Sequence, residues 1–362
     1  MTRQNTFVVI TIYSNKSPNF WPQSRQHKPK QFLDLLGTGK SLVQLTYERS
    51  RGICPDENIY FLVPREHEQL LRDQIPHIND HQVLKEPVRR NSAPSLAYAS
   101  YKIKQRYPDA VLVVTPADHG IFGDIAYVRD VRKAVEFASN NRENLITLGI
   151  KPHCPETSYG YIQYLNEGSS EFKKVKTFTK RPQEDLAKLF LESGDFAWNT
   201  KISVWHVDAI TQALQKYTPD VHETFWDGKA HYFTEGEEAF VVQAFTHCKN
   251  VSITNNIIEK ADNMLMLLGE FGWTDLNSWD LLYDSKEKQE HDNVIEGPHV
   301  YVQDTQNCFI KGPQEKLIVV RGLQDYLVID TEDALLIYPR LHEENIRSLT
   351  STIKEKKKDK YL

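Results

Sequence analysis

The sequence predicts an α/β fold followed by a small all-β segment. Over the N-terminal part of the chain, short apolar runs rich in β-branched residues alternate with helical patterns. This order is typical of a sheet whose strands are joined by helical crossovers. After about Asp292 the chain changes to many short β-type runs separated by Gly, Pro, Asn and Asp. This second pattern predicts a compact segment of stacked strands.

Four apolar runs predict buried strands of the sheet. Each run is short, carries several β-branched residues and is bounded by polar or turn residues, as buried strands are. The four runs are FVVITIY (7–13), ENIYFLVP (57–64), DAVLVVTPADH (109–119) and NLITLGI (144–150).

Helices are predicted where apolar residues recur on one side of a 3.6-residue period. Gly194 supplies a C-terminal signal for one of them, since glycine readily ends a helix in the left-handed conformation. The predicted helices lie at 41–50, 93–107, 187–194, 208–217 and 341–358.

Composition excludes several classes of protein. The 362 residues are 40% hydrophobic and 26% charged, as in an ordinary soluble globular protein, and the net charge is −5. The chain has no net positive charge of the kind that favours binding to nucleic acid or to an anionic membrane. The four cysteines stand far apart without a CxxC pair, which argues against structural zinc and against a disulfide scaffold. With an N-terminal apolar run too short to span a bilayer, these features predict a cytoplasmic protein.

The segment GTGKS (37–41) has part of a phosphate-binding P-loop pattern. The complete pattern requires glycine at position 34, where this chain has Asp34. We therefore predict a turn that caps the following helix.

Asp118, in TPADHG (115–120), is the first candidate metal ligand. It follows a predicted buried strand, and ligands bind at the carboxyl ends of strands in open α/β sheets. A carboxylate there can hold Mg²⁺ beside nucleotide phosphates, because this hard cation prefers oxygen ligands. The alternative is that Asp118 only caps the next segment.

Two further segments have candidate site residues. FGWTDLNSWDLL (271–282) contains Asp275, which could be a second metal carboxylate, although its aromatic residues are equally typical of a core. EPVRRNSAPSLA (86–97) places arginines before a predicted helix, where anions bind well. The alternative for the latter is a surface loop with an ordinary helix cap.

Taken together, these segments resemble one family from about Phe7 to Pro339. Its motifs occur in the expected order as FWPQSRQHKPKQFLDLLG, EPVRRNSAPSLAYAS, TPADH, LGIKPHCPETSYGYIQY, WNT, SITNNIIEKADN and GWTDLNSW. The chain resembles the mannose-1-phosphate guanylyltransferases (GDP-mannose pyrophosphorylases) of the sugar nucleotidyltransferase superfamily.

The resemblance implies a Rossmann-like, GT-A-like mixed sheet flanked by helices, with a C-terminal β-helix-like segment. The implied domains are a nucleotidyltransferase-like domain (1–290), the β-helix-like segment (291–345), and a C-terminal helix with a basic tail (346–362). It also implies the reaction of GTP with mannose 1-phosphate to give GDP-mannose and pyrophosphate, with Mg²⁺ as cofactor. The implied partners are these small molecules, with no nucleic acid and no membrane. A homo-oligomer or association with an active homologue is also possible.

Site residues carry over motif by motif. The resemblance implies that Lys30, Arg25 and Asp118 are catalytic and that Asp118 and Asp275 hold the metal. The residues implied to bind substrate are Glu86, Arg90, Asn91, Tyr159, Gly160, Arg181 and Asn199.

Several motif positions depart from the family pattern. The family's glycine-rich first loop appears as IYSNKSPN (12–19), which has no Gly or Arg and so lacks the backbone freedom that lets such a loop approach phosphates. Lys180, Lys201 and Asn277 replace a family Glu, Gly and Gly. Ser158 and Thr254 replace a Gly and an Asp.

These departures leave two functions open. The first is the guanylyltransferase reaction, and the second is a catalytically silent paralogue that serves as a regulatory partner or as a sugar-nucleotide sensor. Loss of one charge-stabilising donor costs about 10²–10³ in rate, so several losses in one site would strongly reduce turnover. Lys16, Lys180 and Lys201 could instead form a replacement cationic cradle.

Overall fold

The fold consists of two compact units between which the chain passes several times. A computed structural model describes residues 2–13, 20–167, 169–356 and 359–362. The α/β unit comprises residues 1–14, 46–117 and 121–273, and the β-coil unit comprises residues 15–45, 118–120 and 274–362. Three elements lie where the chain passes from one unit to the other: α1 (Leu42–Arg51), β5 (Gly120–Phe122) and β11 (Gly272–Thr274).

The α/β unit is built on a mixed sheet that has nine strands in the described part of the chain. Their order is β3-β2-β1-β4-β9-β6-β10-β8-β7, and β7 also pairs with β9. The strands are β1 (Thr6–Thr11), β2 (Ile59–Pro64), β3 (Val83–Glu86), β4 (Val111–Pro116), β6 (Leu145–Ile150), β7 (Gly160–Tyr164), β8 (Phe172–Lys180), β9 (Phe196–His206) and β10 (Met264–Gly269).

The first four strands of the order are parallel, as the alternation of strands and helices predicts. Antiparallel β9 then lies between β4 and β6, which makes the sheet mixed. The helices of this unit are α2 (Glu68–Gln74), α3 (Ser92–Arg106), α4 (Asp124–Asn140), α5 (Glu184–Ser193), α6 (Val207–Tyr217), α7 (Pro219–Trp226) and α8 (Glu237–His247).

The predicted strands and helices of this unit are found with small changes at their ends. Each of β1, β2, β4 and β6 is buried along its whole length, which explains their continuous apolar sequences. Helix α5 ends at Gly194, whose φ of +73° is the left-handed conformation expected of a C-terminal glycine.

The β-coil unit combines short parallel strands with the chain segment that precedes α1. Strands β12, β14 and β16 stack in parallel, β17 closes that sheet antiparallel, and β13 pairs with β15 in parallel. Its elements are α9 (Trp279–Ser285), β12 (Val294–Glu296), β13 (Val300–Gln303), β14 (Phe309–Lys311), β15 (Ile318–Arg321), β16 (Tyr326–Asp330), β17 (Leu335–Pro339) and α10 (Ile346–Glu355). The predicted β-helix-like character is therefore confirmed.

One apolar core joins the distant segments of the β-coil unit. It contains Phe20 and Trp21 from the early segment, Trp279 from α9, and Phe309 and Leu327 from the stacked strands. The predicted domains are consecutive stretches of the sequence. In the structure, apolar residues between positions 20 and 42 share one core with the C-terminal strands.

The GTGKS segment forms the predicted turn and cap. The carboxylate of Asp34 accepts hydrogen bonds from the backbone N–H groups of Thr38 and Gly39. Ser41 Oγ then accepts from the N–H of Gln44 at the start of α1. The carboxylate at position 34 thus organises the turn, in place of a P-loop glycine.

Candidate active site

Lys30 is the centre of a polar cluster in the β-coil unit. Its Nζ atom lies 3.0 Å from Asp118 Oδ2, and both side chains are largely buried, with 10% and 14% of their surfaces exposed. The same ammonium donates to the backbone carbonyls of Leu276 (2.9 Å) and Asp275 (3.3 Å). The structure therefore brings Asp118 and Asp275, which the sequence predicted for the site, into contact with the predicted Lys30.

Local structure explains why these residues meet. Lys30 begins a 3₁₀ turn, Lys30–Phe32, directly after Pro29. Asp118 lies two residues beyond β4, and Asp275 follows β11 directly. Both carboxylates thus come from the ends of strands, where side chains are not committed to the strand's own packing.

Asn277 connects two members of this cluster. Its Nδ2 donates to Asp275 Oδ2, and its Oδ1 lies 3.4 Å from Lys30 Nζ. The resemblance identified position 277 only as a family glycine replaced by asparagine. A local motif could not show this bridging role, because the role depends on the distant Lys30.

The donor set of the cluster fits a hard divalent cation. Asp118 and Asp275 supply carboxylate oxygens, the ligand type that Mg²⁺ prefers. Among the described residues no group of three or more His, Cys, Asp or Glu side chains could hold a metal ion. Two carboxylates are nevertheless the usual protein contribution at nucleotide sites, where Mg²⁺ keeps waters and binds substrate phosphates.

Arg25, predicted to be catalytic, lies in a different set of contacts within the same unit. Its guanidinium is 2.7 Å from Asp333 Oδ1 and also donates to the backbone carbonyl of Tyr361. Trp21 Nε1 donates to that same carbonyl at 2.6 Å. These contacts tie the early segment to the C-terminal residues, and the phosphate role of Arg25 stays a prediction.

Glu86, Arg90 and Asn91 lie around the start of α3 in the α/β unit. Asn91 is the N-cap, with its Oδ1 accepting from the N–H of Ser92 at 2.9 Å and a φ of +66°. The Arg90 guanidinium donates to the carbonyls of Phe245 (2.7 Å) and Thr246 (2.8 Å) in α8. Burial raises the pKa of Glu86 to about 7. The cap alternative is therefore realised for Asn91, while the substrate role of all three residues stays a prediction.

Tyr159, Gly160 and Asn199 lie close together in the α/β unit, where Gly160 begins β7 beside Asn199 of β9 and Tyr159 directly precedes β7. The Tyr159 ring is buried, with its centroid 5.1 Å from that of Trp198. A Cβ atom built on Gly160 would lie 3.8 Å from Asn199 Cβ, so the two residues are neighbours. Asn199 Oδ1 accepts from the N–H of Lys201 at 2.9 Å, which fixes the orientation of its amide.

Lys180 lies opposite Gly160 in the β7–β8 ladder and is paired with an acid. Its Nζ atom is 2.8 Å from Glu259 Oε1 and 2.6 Å from Asn255 Oδ1. Glu259 was not predicted, and no local signal marks it, because its partner lies in a distant strand. The Glu259 carboxylate balances much of the positive charge that Lys180 would contribute to a cationic cradle.

Arg181 and Lys201 are both exposed and both adopt left-handed backbone conformations, with φ values of +39° and +58°. A positive φ at position 201 is the conformation that the family glycine accepts without strain. The backbone at Lys201 therefore has a conformation that glycine adopts more readily than lysine. Lys16 and the rest of 14–19 lie outside the described residues.

The family model of the nucleotidyl transferases matches residues 16–292. The chain belongs to the nucleotidyl transferase family. The matched range contains every residue predicted for the site. A second family model, of the mannose-phosphate isomerase/GMP-like β-helix domain, matches residues 297–351.

Individual relatives narrow the group within the nucleotidyl transferases. A mannose-1-phosphate guanylyltransferase of Klebsiella pneumoniae is 28% identical over 359 residues, which is 97% of this chain and 75% of that protein. The alginate biosynthesis protein AlgA of Pseudomonas syringae pv. tomato is 30% identical over 356 residues, 96% of this chain and 72% of that protein.

A solved structure is similar over almost the whole chain. It is described as a mannose-1-phosphate geranyltransferase from Thermus thermophilus, and it aligns with a TM-score of 0.86 and 25% identity over 97% of this chain and 100% of that one. This nucleotidyl transferase therefore resembles the mannose-1-phosphate guanylyltransferases in sequence and in fold. Nothing among these relatives favours the catalytically silent alternative.

Proposed function

We propose that the chain transfers a guanylyl group from GTP to mannose 1-phosphate, giving GDP-mannose and pyrophosphate. The observation that carries the proposal is the cluster in which Lys30 lies against Asp118 and the Asp275 backbone. It combines a buried ammonium with two carboxylates at strand ends, which suits a phosphate-rich substrate and a divalent cation.

The reaction requires positioning and charge neutralisation more than covalent chemistry by the protein. An oxygen of the sugar phosphate attacks the α-phosphorus of GTP and forms a new P–O bond. The bond between the α-phosphorus and the bridging oxygen breaks, and pyrophosphate leaves with that electron pair. Because both reactants are polyanions, the protein must hold them in line and offset their repulsion.

In this proposal Lys30 supplies a fixed positive charge to the phosphates. An ammonium has three N–H groups, and those of Lys30 face Asp118 and the carbonyls of Asp275 and Leu276. Lys30 would keep the Leu276 carbonyl as an anchor and exchange one of the other contacts for a phosphate oxygen. Asp118 and Asp275 would hold Mg²⁺, which when bound neutralises phosphate charge. Asn199, with its amide oriented by the Lys201 N–H, would contact the sugar.

The expected compartment is the cytoplasm. Cys54, Cys154, Cys248 and Cys308 form no disulfide in the described part of the chain, which suits a reducing compartment. No helix in the described part of the chain is both long enough and apolar enough to span a membrane.

Pyrophosphate release from the purified chain, given GTP, mannose 1-phosphate and Mg²⁺, tests the proposal. We expect turnover that falls by about 10²-fold or more in Asp118→Asn, which keeps the side-chain shape but removes the charge that would hold the cation. Asp262→Asn is the matched control, since that carboxylate is 80% exposed.

Absence of turnover in the wild-type chain would contradict the enzyme proposal. Thermal-shift titration with GDP-mannose would then show whether the pocket still binds a nucleotide sugar, as the silent alternative requires.

A further inference from the structure

The α/β unit contains a cavity of about 440 Å³ that none of the predicted site residues lines. It lies beside edge strand β3, between α3 and α8, and its size is within the range of small-molecule sites. It is therefore a candidate binding site separate from the Lys30 cluster.

The two sides of this cavity carry opposite charges. Lys85 of β3, with Lys102 and Arg106 of α3, forms a cationic side. Lys102 and Arg106 are four residues apart and so lie on one face of the helix. The segment that leads into α8 and its first turn provide the acidic side, which is formed by Glu235, Glu237 and Glu238. Arg65 and Asp80 also line the cavity, and Arg65 forms an ion pair with Glu238.

A buried ion pair connects the two sides. Lys102 is only 3% exposed, and its Nζ atom lies 2.7 Å from Glu237 Oε1. Glu237 also accepts from the Tyr98 hydroxyl at 2.5 Å and from the Phe233 N–H at 2.7 Å. Burial lowers the pKa of Lys102. The pair therefore holds one charge of each sign in a fixed position on the cavity wall.

Phe233 adds an aromatic surface held in an unusual backbone conformation. Its φ is +62°, which is rare for a bulky residue and which costs stability. The Arg106 guanidinium lies 3.8 Å from the centroid of its ring. Arg106 and Glu235 are both exposed, and no described carboxylate forms an ion pair with Arg106. A ligand can therefore reach the guanidinium without breaking an existing ion pair.

We infer that this cavity binds a phosphorylated sugar. The phosphate would lie against Arg106, because charge-assisted hydrogen bonds to phosphate are the strong ones. Lys85 and Lys102, which are paired with Glu68 and Glu237, would add positive charge nearby. The sugar hydroxyls would donate to the carboxylates of the acidic side. A free anion would interact only with the cationic side, and an unphosphorylated sugar would leave the cationic side without an anionic partner. A ligand that contacts both sides therefore carries a phosphate group and sugar hydroxyls. The inference concerns binding alone and does not rest on the proposed reaction.

The elements that line the cavity also carry or flank the residues predicted to bind substrate. Lys85 and Pro87 line the cavity, while Glu86 between them belongs to the segment predicted to bind substrate. Helix α3 likewise carries Arg106 at its C-terminal end and is capped by Asn91 at its N-terminal end. A ligand in the cavity would contact both elements that hold residues 86–91.

Isothermal titration of the full chain with mannose 6-phosphate tests the inference. Asn199→Ala serves as the background, so that the predicted sugar site does not contribute. We expect binding that weakens at least tenfold in Arg106→Gln and several-fold in Glu235→Gln, the loss expected for one charge-assisted hydrogen bond. Lys216→Gln on α6 is the matched control, since it removes an exposed cation that does not line the cavity, and it should leave binding unchanged.

Three results would overturn the inference. The first is no measurable binding of mannose 6-phosphate at millimolar concentration. The second is equally tight binding of inorganic phosphate alone, which would reduce the site to an anion site. The third is binding that Arg106→Gln leaves unchanged. Because Arg106 and Glu235 are exposed, unchanged thermal melting of both variants would show that lost binding is not lost folding.

Discussion

Lys30 Nζ and Asp118 Oδ2 lie 3.0 Å apart, although their residues belong to distant parts of the sequence. The pair is largely buried, and the ammonium also contacts the backbone carbonyls of Asp275 and Leu276. A single positive charge thus holds together the two segments that carry the predicted metal carboxylates.

Lys30→Met should lower turnover by about 10²–10³-fold, because it removes a charge-stabilising donor while keeping the length of the side chain. Steady-state pyrophosphate release measures the effect. Lys28→Met is the matched control, since Lys28 is exposed in the same segment and should retain wild-type rates. Equal rates for the two variants would contradict a catalytic role for Lys30.

Asn277→Gly should weaken divalent-metal binding several-fold. The substitution restores the family residue but removes the amide that donates to Asp275 Oδ2 and approaches Lys30. Thermal-shift titration with Mn²⁺, in the absence of substrates, measures the affinity without turnover. Asn166→Gly, at an exposed loop position, is the control. Unchanged Mn²⁺ affinity in Asn277→Gly would show that Asn277 does not position the carboxylate.

Lys180→Glu should destabilise the chain by about 0.5–1 kcal/mol, because it places a second carboxylate beside Glu259. Urea unfolding measures the change, and adding Glu259→Lys should recover it. Lys174→Glu, an exposed lysine on the same strand, should cost less. A double-mutant cycle with no coupling would mean that the Lys180–Glu259 pair contributes nothing to stability.

Lys201→Gly should be more stable than Lys201→Ala by about 1 kcal/mol. The backbone at this position has a φ of +58°, where glycine has no steric cost and alanine does. Comparing two truncations removes the side-chain contacts of Lys201 from both variants. Equal unfolding midpoints for the pair would show that the left-handed conformation is not retained in solution.

Glu86→Gln should change the pH dependence of stability. Burial raises the pKa of the folded Glu86 carboxyl to about 7, above the value of about 4.5 expected in the unfolded chain. The folded state therefore binds the proton more tightly, and its stability falls as pH rises from about 4.5 to 7. Glutamine mimics the protonated acid, so the variant should exceed the wild type by up to about 3 kcal/mol at pH 8 and match it near pH 4.

Urea unfolding at several pH values provides the measurement. Glu171→Gln is the matched control, because that carboxylate is exposed and forms only a surface pair with Lys133. A stability difference between Glu86→Gln and wild type that stays constant from pH 4 to pH 8 would contradict the raised pKa.

The pattern of the sequence was most informative where burial is uniform. Strands β1, β2, β4 and β6 are buried along their whole length, so their continuous apolar runs predicted them well. Strand β8 was not predicted, because it is half exposed and four of its nine residues are lysines. Its place in the sheet depends on antiparallel partners β7 and β10, which a local pattern does not reveal.

The same contrast holds for the candidate site. Motif order alone pointed to Lys30, Asp118 and Asp275, and the structure brings these residues to one ammonium. The order of motifs did not predict that Glu259 pairs with Lys180 or that Asn277 bridges Asp275 and Lys30. It also did not predict the contacts of Arg25 with Asp333 and Tyr361. Each of these contacts joins residues whose separation in sequence carries no local signal.

By itself, the sequence determined the alternation of strands and helices, the change to short stacked strands near residue 292, and the family to which the motifs belong. These features depend on local periodicity and on the order of motifs, both of which are written along the chain. Only the tertiary structure decided which charges are neutralised and by which partners. It also showed that residues 20–42 share a core with the C-terminal strands, and that a charged cavity lies beside β3. Those outcomes depend on distances between residues remote in sequence, which are fixed only when the chain packs.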